Sequence, residues 1–182
     1  MNRLPLALSA SVFALAVAAP AHAQNFYAGL GVESGKTTLD IGGGDDFDGD
    51  ITNVSVFAGV RLHANNFFYG AEVETTLSSE ASNDVFGDND IDRVTRLRAM
   101  GGYDFGRWSG FVAAGGTWVD GSPFFNGFGD GANGWNVGVG GEYSFTDHFA
   151  VRAEVIHDET EFNDGNYEWH NTSLRAGAIV RF

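Results

Sequence analysis

The stretch from Trp135 to Val155, WNVGVGGEYSFTDHFAVRAEV, decides the fold. Every second residue of its first arm gives Trp135, Val137, Val139, Gly141, Tyr143 and Phe145, with Asn136, Gly138, Gly140, Glu142 and Ser144 between them. The second arm alternates Phe149, Val151, Ala153 and Val155 with Ala150, Arg152 and Glu154. Successive side chains of a strand point to opposite faces, so this period of two predicts a hairpin with a tight turn at Thr146-Asp147. One face carries Glu142, Arg152 and Glu154; the other is apolar and ends in aromatic residues beside the turn. The pattern predicts an apolar face turned outward to hydrocarbon and an ionic face turned inward.

Six further segments extend the pattern, five of them strands of the same design and one with apolar residues on both faces. Phe26–Glu33 sets Phe26, Ala28, Leu30 and Val32 against Tyr27, Gly29, Gly31 and Glu33. Asn53–His63 sets Val54, Val56, Ala58, Val60 and Leu62 against Ser55, Phe57, Gly59 and Arg61. Phe67, Tyr69, Ala71, Val73, Thr75 and Leu77 oppose Gly70, Glu72 and Glu74 in the third segment. In the fourth, Thr95, Leu97, Ala99, Gly101, Tyr103 and Phe105 oppose Arg96, Arg98, Met100, Gly102 and Asp104. The fifth, Trp108–Val119, is the ambiguous one; the even set with Trp108, Val112, Ala114 and Trp118 is taken as outward. The last, Trp169–Phe182, sends Leu174, Ala176, Ala178, Val180 and Phe182 outward and Ser173, Arg175, Ile179 and Arg181 inward.

Tight turns at Ala64-Asn65, Gly106-Arg107 and Thr146-Asp147 alternate with long loops at Lys36–Asp50, Ser78–Asp90, Asp120–Gly134 and Asp158–Glu168. An up-and-down meander with all tight turns at one end produces that alternation. An even strand number lets the last strand close on the first, and in lipid an open edge would leave backbone groups unsatisfied. The expected fold is therefore an all-β, eight-stranded antiparallel transmembrane β-barrel. Each segment has the roughly 9–11 residues needed to cross a bilayer at a tilt, the first being marginal. Gly59, Phe67, Ala71, Glu72 and Val73 match Gly141, Phe149, Ala153, Glu154 and Val155 at a constant offset, which suggests that two hairpins are versions of one unit.

Phe67, Tyr69, Tyr103, Phe105, Trp108, Tyr143, Phe145, Phe149 and Phe182 fall on the outward face beside the tight turns or the C-terminus. Amphipathic rings prefer the headgroup level, so these are expected to form a periplasmic girdle, with Trp118, Trp135 and Trp169 marking the outer one. A soluble β-sandwich could use the rings as a core but leaves the inward arginines without an account.

The amino-terminal piece reads as a cleavable signal peptide, residues 1–23: Arg3, an apolar run from Leu4 to Ala19, and the small-residue site Ala21-His22-Ala23 before Gln24. Residues 24–182 would be the barrel domain. Beyond Ala23 no apolar run approaches the ~20 residues of a membrane helix. With no cysteine, neither a disulfide framework nor a thiolate metal site can form. A formal charge of −14, one unit more negative without Arg3, argues against nucleic acid as a partner.

The inner face carries Glu33, Glu72, Glu74, Asp104, Glu142, Glu154 and Asp158 with Arg61, Arg96, Arg98, Arg152, Arg175 and Arg181. Acid and base nearly balance there although the chain as a whole is strongly acidic. Glu33, Glu72, Glu74, Glu154, Arg96, Arg98, Arg152 and Arg175 are expected near mid-height as an ion-pair network plugging the lumen. Arg61, Arg181 and Asp158 are expected at the wet ends. Enclosed ions must pair, and the arginine fork suits carboxylates.

The segments RLHANNFFYGAEVE (61–74), YSFTDHFAVRAE (143–154) and AGAIVRF (176–182) resemble the opacity-type and outer-membrane-protein-A-like eight-stranded barrels, also called porin-family or surface-antigen proteins. The resemblance implies an address in the Gram-negative outer membrane, with lipid and lipopolysaccharide as surroundings. It implies that the terminal strand, with Val180 and Phe182, is read by the barrel-assembly machinery. It also implies a role in surface contact, adhesion or envelope integrity. With nothing following Phe182, anchoring to the cell wall is not expected.

Other chemistries fare poorly. GGGDDFDGD (42–50) invites a calcium loop, but the glycine and glutamate that an EF-hand needs are Ile51 and Phe57, so a solvated acidic loop is expected. Weak divalent-cation binding by acidic loops, bridging to lipid phosphates, and an extracellular ligand at those loops stay open. Some eight-stranded barrels modify lipid A through His, Ser and an acid. Here His170 and Ser173 fall on opposite faces, His157 lacks a serine and His63 sits in a turn. Glu72 and Glu74 share a face without a groove for sugar. No catalytic set, metal centre or cofactor is expected, and the protein is read as a monomer, with a narrow solute or ion channel as the runner-up function.

Overall fold

The structure is a computed structural model, and it describes residues 24–40, 46–82, 93–120, 132–162 and 167–182. The proposed signal peptide, and the loop residues Asp45, Asp84, Asp88, Asp90, Asp130 and Asp164, lie outside the described residues.

Eight strands form a closed antiparallel barrel in which each pairs with its neighbours in sequence. They are β1 (Gln24–Asp40), β2 (Asp46–Ala64), β3 (Phe67–Ser82), β4 (Arg93–Asp104), β5 (Trp108–Asp120), β6 (Ala132–Ser144), β7 (Phe149–Phe162) and β8 (Tyr167–Arg181). Closure is made by β1 against β8, from Tyr27 opposite Arg181 to Asp40 opposite Glu168, and the Phe182 N–H donates to the Phe26 carbonyl at 2.9 Å. This removes the free edge that a sheet in lipid cannot tolerate.

The tight turns fall where expected, each by its own chemistry. Asn65 has φ 58° and Gly106 φ 91°, the left-handed region that asparagine and glycine tolerate. At the third turn the Thr146 hydroxyl accepts from the N–H groups of His148 (3.2 Å) and Phe149 (3.0 Å).

At the other end the strands run further than the alternation predicts. β1 and β2 continue through most of the expected first loop, so that Thr38 pairs with Asp48 and Lys36 with Asp50. β7 runs to Phe162 and β8 starts at Tyr167, absorbing most of the expected fourth loop. Polar residues end the lipid-facing pattern there, but they do not end backbone pairing once the strands have left hydrocarbon. The first strand, marginal on its apolar residues, has 17 residues.

The alternation itself holds. Leu30 (59 % exposed), Val112 (61 %), Val139 (58 %) and Leu174 (59 %) point out, while Arg96, Arg152 and Glu154 are buried inside. β5 takes the expected facing, with Trp108, Val112 and Trp118 outward and Phe111, Ala113, Thr117 and Val119 inward. The hairpin echo is corrected: Glu72 and Glu154 both face in, but Gly59 lies on the inner face and Gly141 on the outer. Its longer turn puts the second hairpin in a different register.

Candidate functional site: the ion-paired lumen

Inward charges from seven of the eight strands meet along the axis of the barrel. Arg96 on β4 reaches Glu33 (2.8 Å), Glu74 (2.9 Å) and Asp158 (2.7 Å). Arg98, two residues on and therefore on the same face, donates to Glu154 at 2.5 Å and pairs with Glu72. Arg175 pairs with Glu74 and Glu154. Arg152 joins Glu72 to Glu142, the latter at 2.8 Å. Arg61 and Arg181 complete the lower end on Glu142, Arg181 at 2.9 Å.

Glu74, Glu72 and Glu142 each serve more than one arginine, so the pairs fuse into one column. Six carboxylates (Glu33, Glu72, Glu74, Glu142, Glu154, Asp158) face six guanidinium groups (Arg61, Arg96, Arg98, Arg152, Arg175, Arg181). Neutral hydroxyls and amides take up remaining acceptors: Tyr27 donates to Glu72 (2.7 Å), Ser173 to Glu33 (2.8 Å), and Thr117 and Asn171 to Asp158 (2.9 and 3.1 Å).

The structure brings together all eight residues expected at mid-height and adds Asp158, Glu142 and Arg61. Asp158 and Arg61, expected at wet ends, are buried at 0 % and 3 % exposure. Asp158 is enclosed because β7 runs on to Phe162 and because Arg96, which it shares with Glu33, draws it inward; Arg61 is enclosed because Glu142 and the rings of Tyr27 and Phe68 hold its guanidinium. Arg181 does stay partly exposed. Asp104 sits at the mouth, 3.4 Å from His63 and accepting from Ser109 at 2.6 Å.

The lumen is not purely ionic. Tyr27, Phe57, Phe68, Met100, Phe111, Ala113, Ala150 and Ile179 form an apolar cluster inside the barrel. Guanidinium groups lie over these rings: Arg61 is 4.6 Å from the Tyr27 centroid and 4.7 Å from Phe68, and Arg152 is 4.7 Å from Phe57 and 5.0 Å from Phe111. Such stacking is favourable for a desolvated cation.

Cross-strand glycines make room for the rings. Tyr27 lies opposite Gly59, Phe57 opposite Gly29, Phe68 opposite Gly102 and Phe111 opposite Gly140. A Cβ on any of the four glycines would collide with the facing ring. Alternation sets these aromatics on the inner face, and the facing glycines, known only from the register, give them room. Trp169, expected in the outer girdle, also turns inward, onto Val94, Val119 and Ala132.

At the turn end a cavity of about 380 Å³ opens between the hairpins, with Tyr27, Arg61, His63, Asp104, Arg107 and Arg181 among its walls. Outside it runs a band of rings. Phe67 meets Tyr103 edge-on at 4.8 Å, Tyr103 meets Phe105 at 4.8 Å, and Trp108 meets Tyr143 at 4.8 Å, with Phe145 at 5.1 Å beyond. Tyr69, Phe149, Val180 and Phe182 are exposed at the same end.

Comparison with known proteins agrees with this architecture. Residues 6–182 match the family described as outer membrane protein beta-barrel domain. Among solved structures, Neisserial surface protein A is similar at 17% identity and a TM-score of 0.51, over 86% of this chain and 97% of that one. Ail, the attachment invasion locus protein of Yersinia pestis, is similar at 14% identity and a TM-score of 0.50, over 86% and 98%. No curated protein matches the chain by sequence. The strand count, closure, inverted polarity and family match place the chain in the outer membrane protein β-barrel family, as a small eight-stranded member.

Proposed function

We propose that this outer-membrane barrel is a structural and surface-display protein whose lumen is sealed, and which acts through envelope integrity or through binding by its acidic outer loops. The observation that carries the reading is the column of buried Arg–Glu pairs and stacked rings across the lumen. An eight-stranded barrel is just wide enough for its own side chains to fill, and here they do so with neutralised charge. In this reading residues 1–23 are a signal peptide removed on export. The ring band of Phe67, Tyr69, Tyr103, Phe105, Trp108, Tyr143, Phe145 and Phe149 sits at the periplasmic headgroup level. Val180 and Phe182 present the terminal strand to the assembly machinery, and lipopolysaccharide surrounds the outer end of a monomer.

The catalytic alternative lacks its constellation among the described residues. Ser173 is committed to Glu33 inside the barrel, whereas His170 lies on the outer face. The channel reading is the one to test. The purified protein reconstituted in planar bilayers is expected to give no stable conductance steps, and neutralising Glu72 and Arg98 together is expected to introduce flickering leaks. Large, stable steps from the unmodified protein would overturn the sealed lumen.

A further inference from the structure

His157, Glu159 and His170 form a group of metal-ligating side chains outside the lumen. On β7, His157 and Glu159 are two apart and share the outward face. On β8, His170 lies directly opposite Glu159. Register alone therefore converges two imidazoles and a carboxylate on one patch of the wall. This differs from the sequence expectation of no metal centre, because Glu159 lies in what reads as a loop, and its register against His170 is hidden, until the strand extension is seen.

We propose that this patch is a binding site for a zinc-type divalent metal ion, with His157 Nε2, Glu159 Oε1 and His170 Nδ1 as ligands. His157 Nε2 lies 3.4 Å and His170 Nδ1 3.8 Å from Glu159 Oε1, and the ligand atoms all lie within 4.8 Å of one another. Tetrahedral zinc with bonds of about 2.0–2.1 Å needs ligand atoms roughly 3.3 Å apart, so only small side-chain rotations separate the observed arrangement from coordination. Two imidazoles and one carboxylate are a zinc donor set that leaves a fourth position open, and they do not suit calcium or magnesium.

Two further features favour the ion. The second nitrogen of each ring already has an orienting partner, as metal-bound histidines require. His157 Nδ1 is 2.8 Å from the Thr172 hydroxyl, and His170 Nε2 is 3.5 Å from Glu168. The patch is also over-supplied with anions. Glu161 and Glu168 face each other directly across β7 and β8, beside Glu159. Like charges so opposed are destabilising, and a bound cation offsets them. Trp135 lies opposite Glu159 and its ring is 6.0 Å from that of His157, which sets the site at the height of an outward tryptophan.

The test is titration of the untagged, chelator-stripped full chain in detergent micelles with Zn2+, in competition with a fluorescent zinc chelator. One Zn2+ per barrel is expected. His157→Gln and His170→Gln should each weaken binding at least tenfold, whereas His63→Gln and His148→Gln should leave it unchanged. Glu168→Gln, which removes an orienting partner, is expected to weaken it by roughly tenfold as well. Heat-dependent gel mobility checks that each variant is a closed barrel. Zn2+ binding that is absent, that survives loss of both His157 and His170, or that Ca2+ and Mg2+ match at equal concentration would overturn the site.

Discussion

At the residue scale the decisive side chain is Arg98. It is 0 % exposed, it pairs with Glu72 and Glu154, and it stands 3.6 Å from Glu74. A buried ion pair is weak as a net stabiliser, but removing one partner strands charge that nothing compensates. Arg98→Leu leaves the column one positive charge short, although Arg96, Arg152 and Arg175 still reach Glu72, Glu74 and Glu154, and is expected to cost about 3–5 kcal/mol in reversible urea unfolding from lipid vesicles. Arg98→Lys keeps the charge but loses the fork that reaches two carboxylates at once, and should cost less. A loss under about 1 kcal/mol for the leucine variant would show that water, rather than arginine, solvates these acids. The identity of the mid-height residues was readable from the sequence, because alternation fixes which face a charge occupies. Their partners were not, since Arg96 with Glu33 and Arg175 with Glu74 join strands that are not neighbours and meet only across the closed lumen.

At the scale of elements, the barrel wall and its filling are matched strand by strand. An inward aromatic on one strand lies against an inward glycine on the next, so the rings lie flat on the wall and leave the axis to the arginines. A Cβ on Gly140 would stand 2.6 Å from Phe111 Cζ and 2.7 Å from the Ala153 carbonyl oxygen. Gly140→Ala is therefore expected to destabilise the barrel by about 1–3 kcal/mol, as overpacking does, although alanine is ordinarily the better strand residue. Adding Phe111→Leu should recover the part of that loss due to the ring. A neutral or stabilising Gly140→Ala would contradict the matched filling. The sequence announces glycines in strands but not what they accommodate. Alternation sets Phe57 and Phe111 inward, but only cross-strand register shows them opposite Gly29 and Gly140. The outer strand ends were hidden for another reason. Lys36 to Asp50 and Asp158 to Glu168 read as loop because polar residues replaced apolar ones, whereas hydrogen bonding between the strands continues in water as it does in lipid. The same blind spot concealed the approach of His157 and Glu159 to His170.

At the scale of the whole molecule, the fold inverts the polarity of a soluble protein. Side chains such as Leu30, Val112, Val139 and Leu174 form the outer surface, and the charged residues make up much of the interior. That inversion was the most legible feature of the sequence, since a two-residue period with arginines and glutamates on one face fits no soluble sheet that keeps its apolar face in water. It also underlies everything else proposed: a hydrocarbon exterior makes closure obligatory, and closure lets a dozen ions pair in a space too narrow for bulk water. The chain has no cysteine, so single nitroxide labels can be placed at Val112, Val139, Val151 and Leu174 without background. The most direct test is power-saturation EPR of these four labels in lipid vesicles. All four should collide freely with dissolved oxygen and be shielded from a water-soluble nickel chelate; access of the chelate to these sites, or protection from both reagents, would contradict a lipid-facing exterior.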